Sequence, residues 1–159
     1  YIIAIMVQAL DLRKSDVVLE VGTGTGYQAA VLSQIVERVI TVERIAVLAE
    51  SARKLLAALE YNNVEVVLEK EQLGCDRKGP FDAIIVAAGA PKIPKDLMIQ
   101  MADGGRMVVP VGSRESQDLM KITRYSGNYS VETLGRCRFV PLVGQGGWPD
   151  VTGRSFVEH

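Results

Sequence analysis

The stretch Val17-Val18-Leu19-Glu20-Val21-Gly22-Thr23-Gly24-Thr25-Gly26-Tyr27, continued by Gln28-Ala29-Ala30-Val31-Leu32, reads as strand, tight loop and helix. An apolar run of strand length breaks into three glycines at alternate positions before apolar residues resume. Glycines at that spacing let the backbone take positive φ and let a ligand lie against bare main chain. The helix that follows aims unpaired N–H groups and its positive dipole end at the same spot. A ligand with an anionic or polar end is expected there.

Working outward, the helix from about Tyr27 to Val36 leads to a second strand, Val39-Ile40-Thr41-Val42, closed by Glu43. Glu43 lies 21 positions after Gly22, about where a Rossmann-type fold presents an acid to both hydroxyls of a ribose. A carboxylate accepts two donors at once. The loop is not a dinucleotide fingerprint, because Gly-x-Gly-x-x-Gly requires glycine where Tyr27 stands, and no Gly-Lys-Ser/Thr phosphate loop follows. It resembles the first motif of the Rossmann-like S-adenosylmethionine-dependent methyltransferases.

Composition narrows the class. The chain has 159 residues, 48% of them hydrophobic and 23% charged, with a formal net charge of −1. That length suits a single domain over residues 1–159 with one substantial core. No apolar run approaches the roughly 20 residues of a membrane helix, and no basic footprint for nucleic acid is present. Neither a membrane nor a nucleic-acid partner is expected. Cys75 and Cys137 stand alone, as plain thiols of a reducing, cytoplasmic compartment, and offer no metal spacing. His159, the lone histidine, ends the chain and has the look of a tag, so no histidine acid/base site and no metal are expected. The abrupt opening at Tyr1 reads as a piece whose beginning has been removed.

Tyr1 to Leu10 is dense enough in apolar residues for a largely buried helix, and Ile45 to Leu59 is amphipathic. Val64 to Leu68 is a third strand, and Phe81 to Ala88 a central parallel strand covered on both faces. A short helix spans Lys95 to Met101, Asp103-Gly104-Gly105 stops it, and Arg106 to Gly112 is the fifth strand. Leu119 to Tyr125 and Tyr129 to Phe139 alternate around Ser126-Gly127-Asn128 as an antiparallel hairpin. The outline is an α/β, Rossmann-like, doubly wound and mostly parallel sheet with a C-terminal antiparallel hairpin.

Several stretches together resemble the protein-L-isoaspartate O-methyltransferases: Leu19 to Tyr27, Val42-Glu43-Arg44, Pro80 to Val86, Ala87 to Pro94, Val109-Pro110-Val111-Gly112 and Phe139-Val140-Pro141-Leu142. The resemblance implies transfer of a methyl group from S-adenosylmethionine to the α-carboxylate of isoaspartyl residues in damaged proteins, a repair reaction. It places Gly22, Gly24 and Gly26 along the cofactor's methionine end, Glu20 near its amino group and Glu43 on its ribose, with Thr23, Tyr27 and Arg44 completing the cofactor site. Ala87, Ala88, Pro110 and Val111 would border the peptide groove, and no side chain is assigned a catalytic proton transfer.

Two departures stand out. Members of that family carry a segment ahead of the position of Tyr1, with a Ser/Thr loop over the transferred methyl. They also usually show Gly-Asp-Gly after the third strand, where this chain has Glu69-Lys70-Glu71. Lys70 accepts no hydrogen bond, which leaves Glu69 and Glu71 as substitutes and costs about 1.5–3 kcal/mol of adenine recognition if neither serves. The rival to an active enzyme is therefore a catalytically impaired fragment or pseudoenzyme that keeps the fold and at most weak cofactor binding. A base-amine methyltransferase is disfavoured because Ala87-Ala88-Gly89-Ala90-Pro91 lacks an Asn/Asp-Pro-Pro-aromatic run, and an NAD-dependent oxidoreductase because of Tyr27.

Overall fold

A computed structural model describes residues 1–151; His159 lies outside them. The elements run α1 (Ile2–Ala9), β1 (Val17–Val21), α2 (Tyr27–Ser33), β2 (Arg38–Glu43), α3 (Ala46–Ala58), β3 (Val64–Leu68), β4 (Phe81–Val86), α4 (Lys95–Met98), β5 (Met101–Gly112), β6 (Gln117–Tyr125) and β7 (Asn128–Cys137). The strands form one sheet in the order β3-β2-β1-β4-β5-β6-β7. β1 to β5 pair in parallel, while β6 and β7 join antiparallel, as the sequence pattern predicts.

Strand alternation sorts the apolar residues into two cores. Leu19, Val21, Ile40, Val42, Ile84 and Val86 pack on one face with Leu73, Phe81 and Leu97. Val18, Val39, Ala83 and Ile85 pack on the other, against Met6 and Leu10 near α1 and Ala29 and Leu32 of α2. The central strands are apolar on both faces because both are covered.

The three largest departures from the pattern reading fall at the end of α2, the end of α4 and the start of β5. α2 ends at Ser33 rather than near Val36, because the Asn63 side-chain amide donates to the carbonyls of Ser33, Val36 and Glu37 and draws the chain out of the helix. α4 ends at Met98, and β5 begins at Met101 rather than Arg106. Phe81 pairs with Met101 but Ala83 with Arg106, so Asp103-Gly104-Gly105 is an insertion within the strand instead of a stop before it. A Cβ on Gly105 would stand 2.7 Å from the Ala102 carbonyl, which keeps that position a glycine.

The topology fixes where a ligand belongs. The sequential order of strands reverses between β1 and β4, and in open α/β sheets the crevice outside the carboxyl ends of such strands is the binding position.

Candidate functional site

A cavity of about 360 Å³ opens at that position. Its floor is Val21, Gly22 and Gly24 after β1 and Ala87 and Ala88 after β4. One wall is Glu43, Arg44, Ile45 and Leu48 at the end of β2 and the start of α3; a second is Glu69 to Gly74 after β3. A strap made by Val140 to Gln145 closes the third side.

The loop between β1 and α2 is folded back over the end of β2. Gly22 and Thr23 both donate their backbone N–H to the Val42 carbonyl, at 2.9 and 3.2 Å. Gly24, at φ +53°, donates its N–H to Glu43 Oε2 at 3.0 Å, and a Cβ built there meets nothing within 4 Å. Gly24 is also one of the residues that line the cavity. Gly26, at φ +86°, caps α2, and a Cβ on it would meet Leu56 Cδ1 at 3.2 Å and Ala52 Cβ at 3.6 Å. The third glycine thus serves the close approach of the loop to α3, the packing that a dinucleotide fold meets one position later, and Tyr27 is left 66% exposed.

Glu43 is buried at 8% exposure, yet it faces the cavity. Its Oε1 accepts the Ile45 N–H at 3.0 Å while Oε2 holds Gly24. Two backbone donors use half of the four lone-pair directions of a carboxylate. The remaining two are available to hydroxyls of a bound ligand. Arg44 also lines the cavity, but its guanidinium is paired with Asp150 at 2.5 Å.

The resemblance puts Glu20 near the cofactor's amino group. It is fully buried and does not line the cavity. Oε1 accepts the Thr41 hydroxyl at 2.5 Å, and Thr41 Oγ1 lies 2.6 Å from Thr23 Oγ1. Burial, with the neighbouring Glu43 charge adding to it and the Thr41 hydrogen bond opposing it, pushes the Glu20 carboxyl up to about 8. Glu20 Oε2 and Gln28 Nε2, near the base of α2, are buried without a hydrogen-bond partner among the described residues.

The wall after β3 is organised by its own side chains. Glu69 accepts N–H bonds from Glu71 at 3.2 Å and Gln72 at 3.5 Å, which hold its carboxyl below the usual carboxylate range. Its Oε2 lies 3.4 Å from Gln72 Nε2 and 3.7 Å from an Arg77 nitrogen, so the carboxylate caps its own loop while also lining the cavity. Gln100, buried between α4 and β5, accepts the Cys75 N–H at 2.8 Å and donates to the Leu73 and Asp96 carbonyls, fixing the Leu73 to Cys75 turn. Ala90 binds the backbone of Pro110 and Gly112, which brings Pro110 and Val111 beside the Ala87-Ala88 floor without making them part of the cavity lining. Gly22, Gly24, Glu43, Arg44, Ala87 and Ala88 meet at the cavity, whereas Thr23, Gly26 and Tyr27 are not among the residues that line it. Thr41, Gln100 and the strap escape a linear reading, since each depends on long-range register.

The sheet order, the glycine loop and the acid beside it define the class I S-adenosylmethionine-dependent methyltransferase fold. The family model for protein-L-isoaspartate(D-aspartate) O-methyltransferase matches residues 1–147, and the chain belongs to that family. A curated protein-L-isoaspartate O-methyltransferase of Syntrophus aciditrophicus (strain SB) is 49% identical over 151 residues, 93% of this chain and 69% of that protein. One of Pelotomaculum thermopropionicum is 50% identical over 153 residues, 96% of this chain and 67% of that protein. A solved protein-L-isoaspartate O-methyltransferase superposes with a TM-score of 0.84 at 29% identity, covering 92% of this chain but 48% of the other. A Plasmodium falciparum protein assigned to the same activity, solved with S-adenosyl-L-homocysteine, matches at TM-score 0.66 and 22% identity over 87% of this chain and 69% of its own, which speaks for the fold alone.

Proposed function

We propose that this chain, acting as one methyltransferase domain, binds S-adenosylmethionine in the cavity at the β1/β4 switch point. It transfers the methyl group to the α-carboxylate of isoaspartyl residues in damaged proteins. The observation that carries the reading is Glu43, which lines the cavity with its two oxygens held by the Gly24 and Ile45 N–H groups at 3.0 Å each. That is an acceptor pre-set for a ribose, in a cavity with an apolar wall at Ile45 and Leu48 suited to a flat base.

When bound, the cofactor supplies an electrophilic sulfonium methyl group. The chain's own residues hold and enclose. Gly22 and Gly24 let the main chain lie close to the methionine end, Glu43 accepts the ribose hydroxyls, and the strap of Val140 to Gln145 covers the opening. The substrate carboxylate is ionised at pH 7 without help, so orientation and exclusion of water supply the rate rather than a protein base. Ala87 and Ala88 leave room for the peptide backbone, and the adjoining Pro110 and Val111 extend that edge. The chain's substrates are damaged proteins of a cytoplasmic compartment, the reading that two isolated cysteines support.

Calorimetric titration with S-adenosylhomocysteine tests the site, and methyl transfer to an isoaspartyl peptide, read as a base-labile ester, tests the reaction. Glu43→Ala is expected to weaken binding by about 1.5–3 kcal/mol, roughly 10- to 150-fold, through loss of charge-assisted hydrogen bonds. Tight binding by the parent chain without turnover would assign it instead as a catalytically impaired form.

A further inference from the structure

We propose that Glu20 is a positioning residue for the glycine loop, acting through the hydroxyls of Thr41 and Thr23 instead of touching the ligand. This rests on the reading of that loop as the cofactor cradle. Three features support it. Glu20 and Thr41 are directly opposed across the parallel pair β1 and β2, so their side chains share one face of the sheet. Thr23, beyond the end of β1, is carried back over Thr41 by the N–H bonds of Gly22 and Thr23 to the Val42 carbonyl. The three side chains then form one continuous chain, 2.5 Å from Thr41 Oγ1 to Glu20 Oε1 and 2.6 Å from Thr23 Oγ1 to Thr41 Oγ1.

The chain is buried throughout: Glu20 and Thr41 are fully enclosed and Thr23 is 4% exposed. Water cannot substitute for a missing link, so each hydroxyl is held by the next. A hydroxyl has one proton to donate. With Glu20 ionised, Thr41 donates to Glu20 and Thr23 donates to Thr41; with Glu20 neutral the same links run in the opposite sense. Thr23 stays tied in either case, and it is the one residue between Gly22 and Gly24. Pinning it adds a side-chain anchor between two glycines that otherwise rely on the N–H bonds to Val42 and Glu43. Glu43 grips the loop from the cavity side through the Gly24 N–H, and Glu20 grips it from behind.

The test is amide hydrogen exchange on the ligand-free 159-residue chain, compared with titration of S-adenosylhomocysteine. Thr41→Val removes the central hydroxyl at nearly constant shape, and Thr41→Ser restores it. Thr23→Val cuts only the loop end and leaves the Thr41 to Glu20 bond in place, which covers the case in which Thr41→Val does not fold. The expected result is exchange at the Gly24 amide about tenfold faster in Thr41→Val and Thr23→Val, the loss of one buried hydrogen bond. Protection at Ile85 in the core is expected to hold, and Thr41→Ser to return to the parent rate. S-adenosylhomocysteine is expected to bind about tenfold more weakly in the two valine variants. Unchanged protection at Gly24 in the valine variants, or a serine variant as fast as the valine one, would overturn the proposal. Failure of the parent chain to bind S-adenosylhomocysteine would sink the cofactor reading, while the exchange measurement still decides whether the hydroxyl chain holds the loop.

Discussion

The two ends of the same sheet treat their polar groups in opposite ways. At the amino ends of β1 and β4, Arg106 of β5 donates to the carbonyls of Leu10, Asp11 and Asp82 and to Asp16 Oδ2, at 2.7 to 2.9 Å. Asp82 in turn accepts the Val17 N–H at 2.8 Å and Asp16 that of Arg13 at 2.9 Å. Polar groups there are spent on one another. At the carboxyl ends, Glu43 accepts two backbone donors at 3.0 Å each and faces an open cavity. A closed network stabilises, whereas capacity left over at a sheet edge is what a ligand can use. A carboxylate is therefore structural at Asp16, whereas at Glu43 it is the group proposed to meet the ribose, and the surroundings make the difference.

The comparison is broken most severely at the closed end. Arg106→Ala leaves Asp16, whose side chain is 6% exposed, as a buried charge without its cation, together with three carbonyls deprived of their donor. Loss of one partner of such a pair costs about 3–5 kcal/mol. Urea unfolding should show that drop, and S-adenosylhomocysteine affinity of the remaining folded protein should match the parent. A large affinity loss with little change in stability would reverse the roles assigned to the two ends.

Glu20 gives the next largest effect, and its sign is opposite to that of an ordinary acid. The unfolded side chain ionises near 4.5, whereas burial keeps the folded one protonated until about 8. Between those values the unfolded chain has released a proton that the folded chain retains. This contribution to stability is complete below pH 4.5, falls as pH rises, and is gone above about 8. Glu43 is the charge that reinforces the shift; α1 and α2, whose side chains pack over that face, carry no charged residue. Between pH 5 and 7 the parent is expected to lose about 2–3 kcal/mol relative to Glu20→Gln, which has no proton to lose. Parallel stability curves for the two proteins over that range would remove Glu20 from the list of neutral buried acids.

How far each end could be read in advance follows from sequence separation. The glycine loop, Glu43 and the Ala87-Ala88 floor were legible because strand, turn and helix signals are local and the topology then brings the strand ends together. The α/β order and the terminal hairpin followed from the same periodicities. Glu20 was recognisable as an acid in an apolar strand, but its partner was not, because Thr41 reaches it only through cross-strand register, 21 residues away. Phe139-Val140-Pro141-Leu142 was visible as a signature without a role, since its place at the cavity depends on the parallel bridge of Pro141 to Gly89. The β5 start was misplaced for a related reason: a bulge within a paired strand and a turn between elements use the same Asp-Gly-Gly residues.

The mildest test asks whether the strap belongs to the open end by charge or by backbone. Val140 accepts the Gly89 N–H and Leu142 donates to the Gly89 carbonyl, both at 2.8 Å, while Trp148 and Gly144 close the turn back onto the strap. Arg114 adds a cation over the Trp148 ring, 5.0 Å from its centroid. Against these, the Arg44 to Asp150 pair has side chains 42% and 36% exposed, so its attraction is screened and is worth about 0–1 kcal/mol. Arg44→Ala should therefore weaken S-adenosylhomocysteine binding less than about fivefold, and the difference should vanish in roughly 1 M salt. A loss well beyond tenfold that persists in salt would mean that the guanidinium leaves Asp150 to meet the ligand. In that case Arg44 would join Glu43 among the groups whose capacity is held in reserve for the cavity.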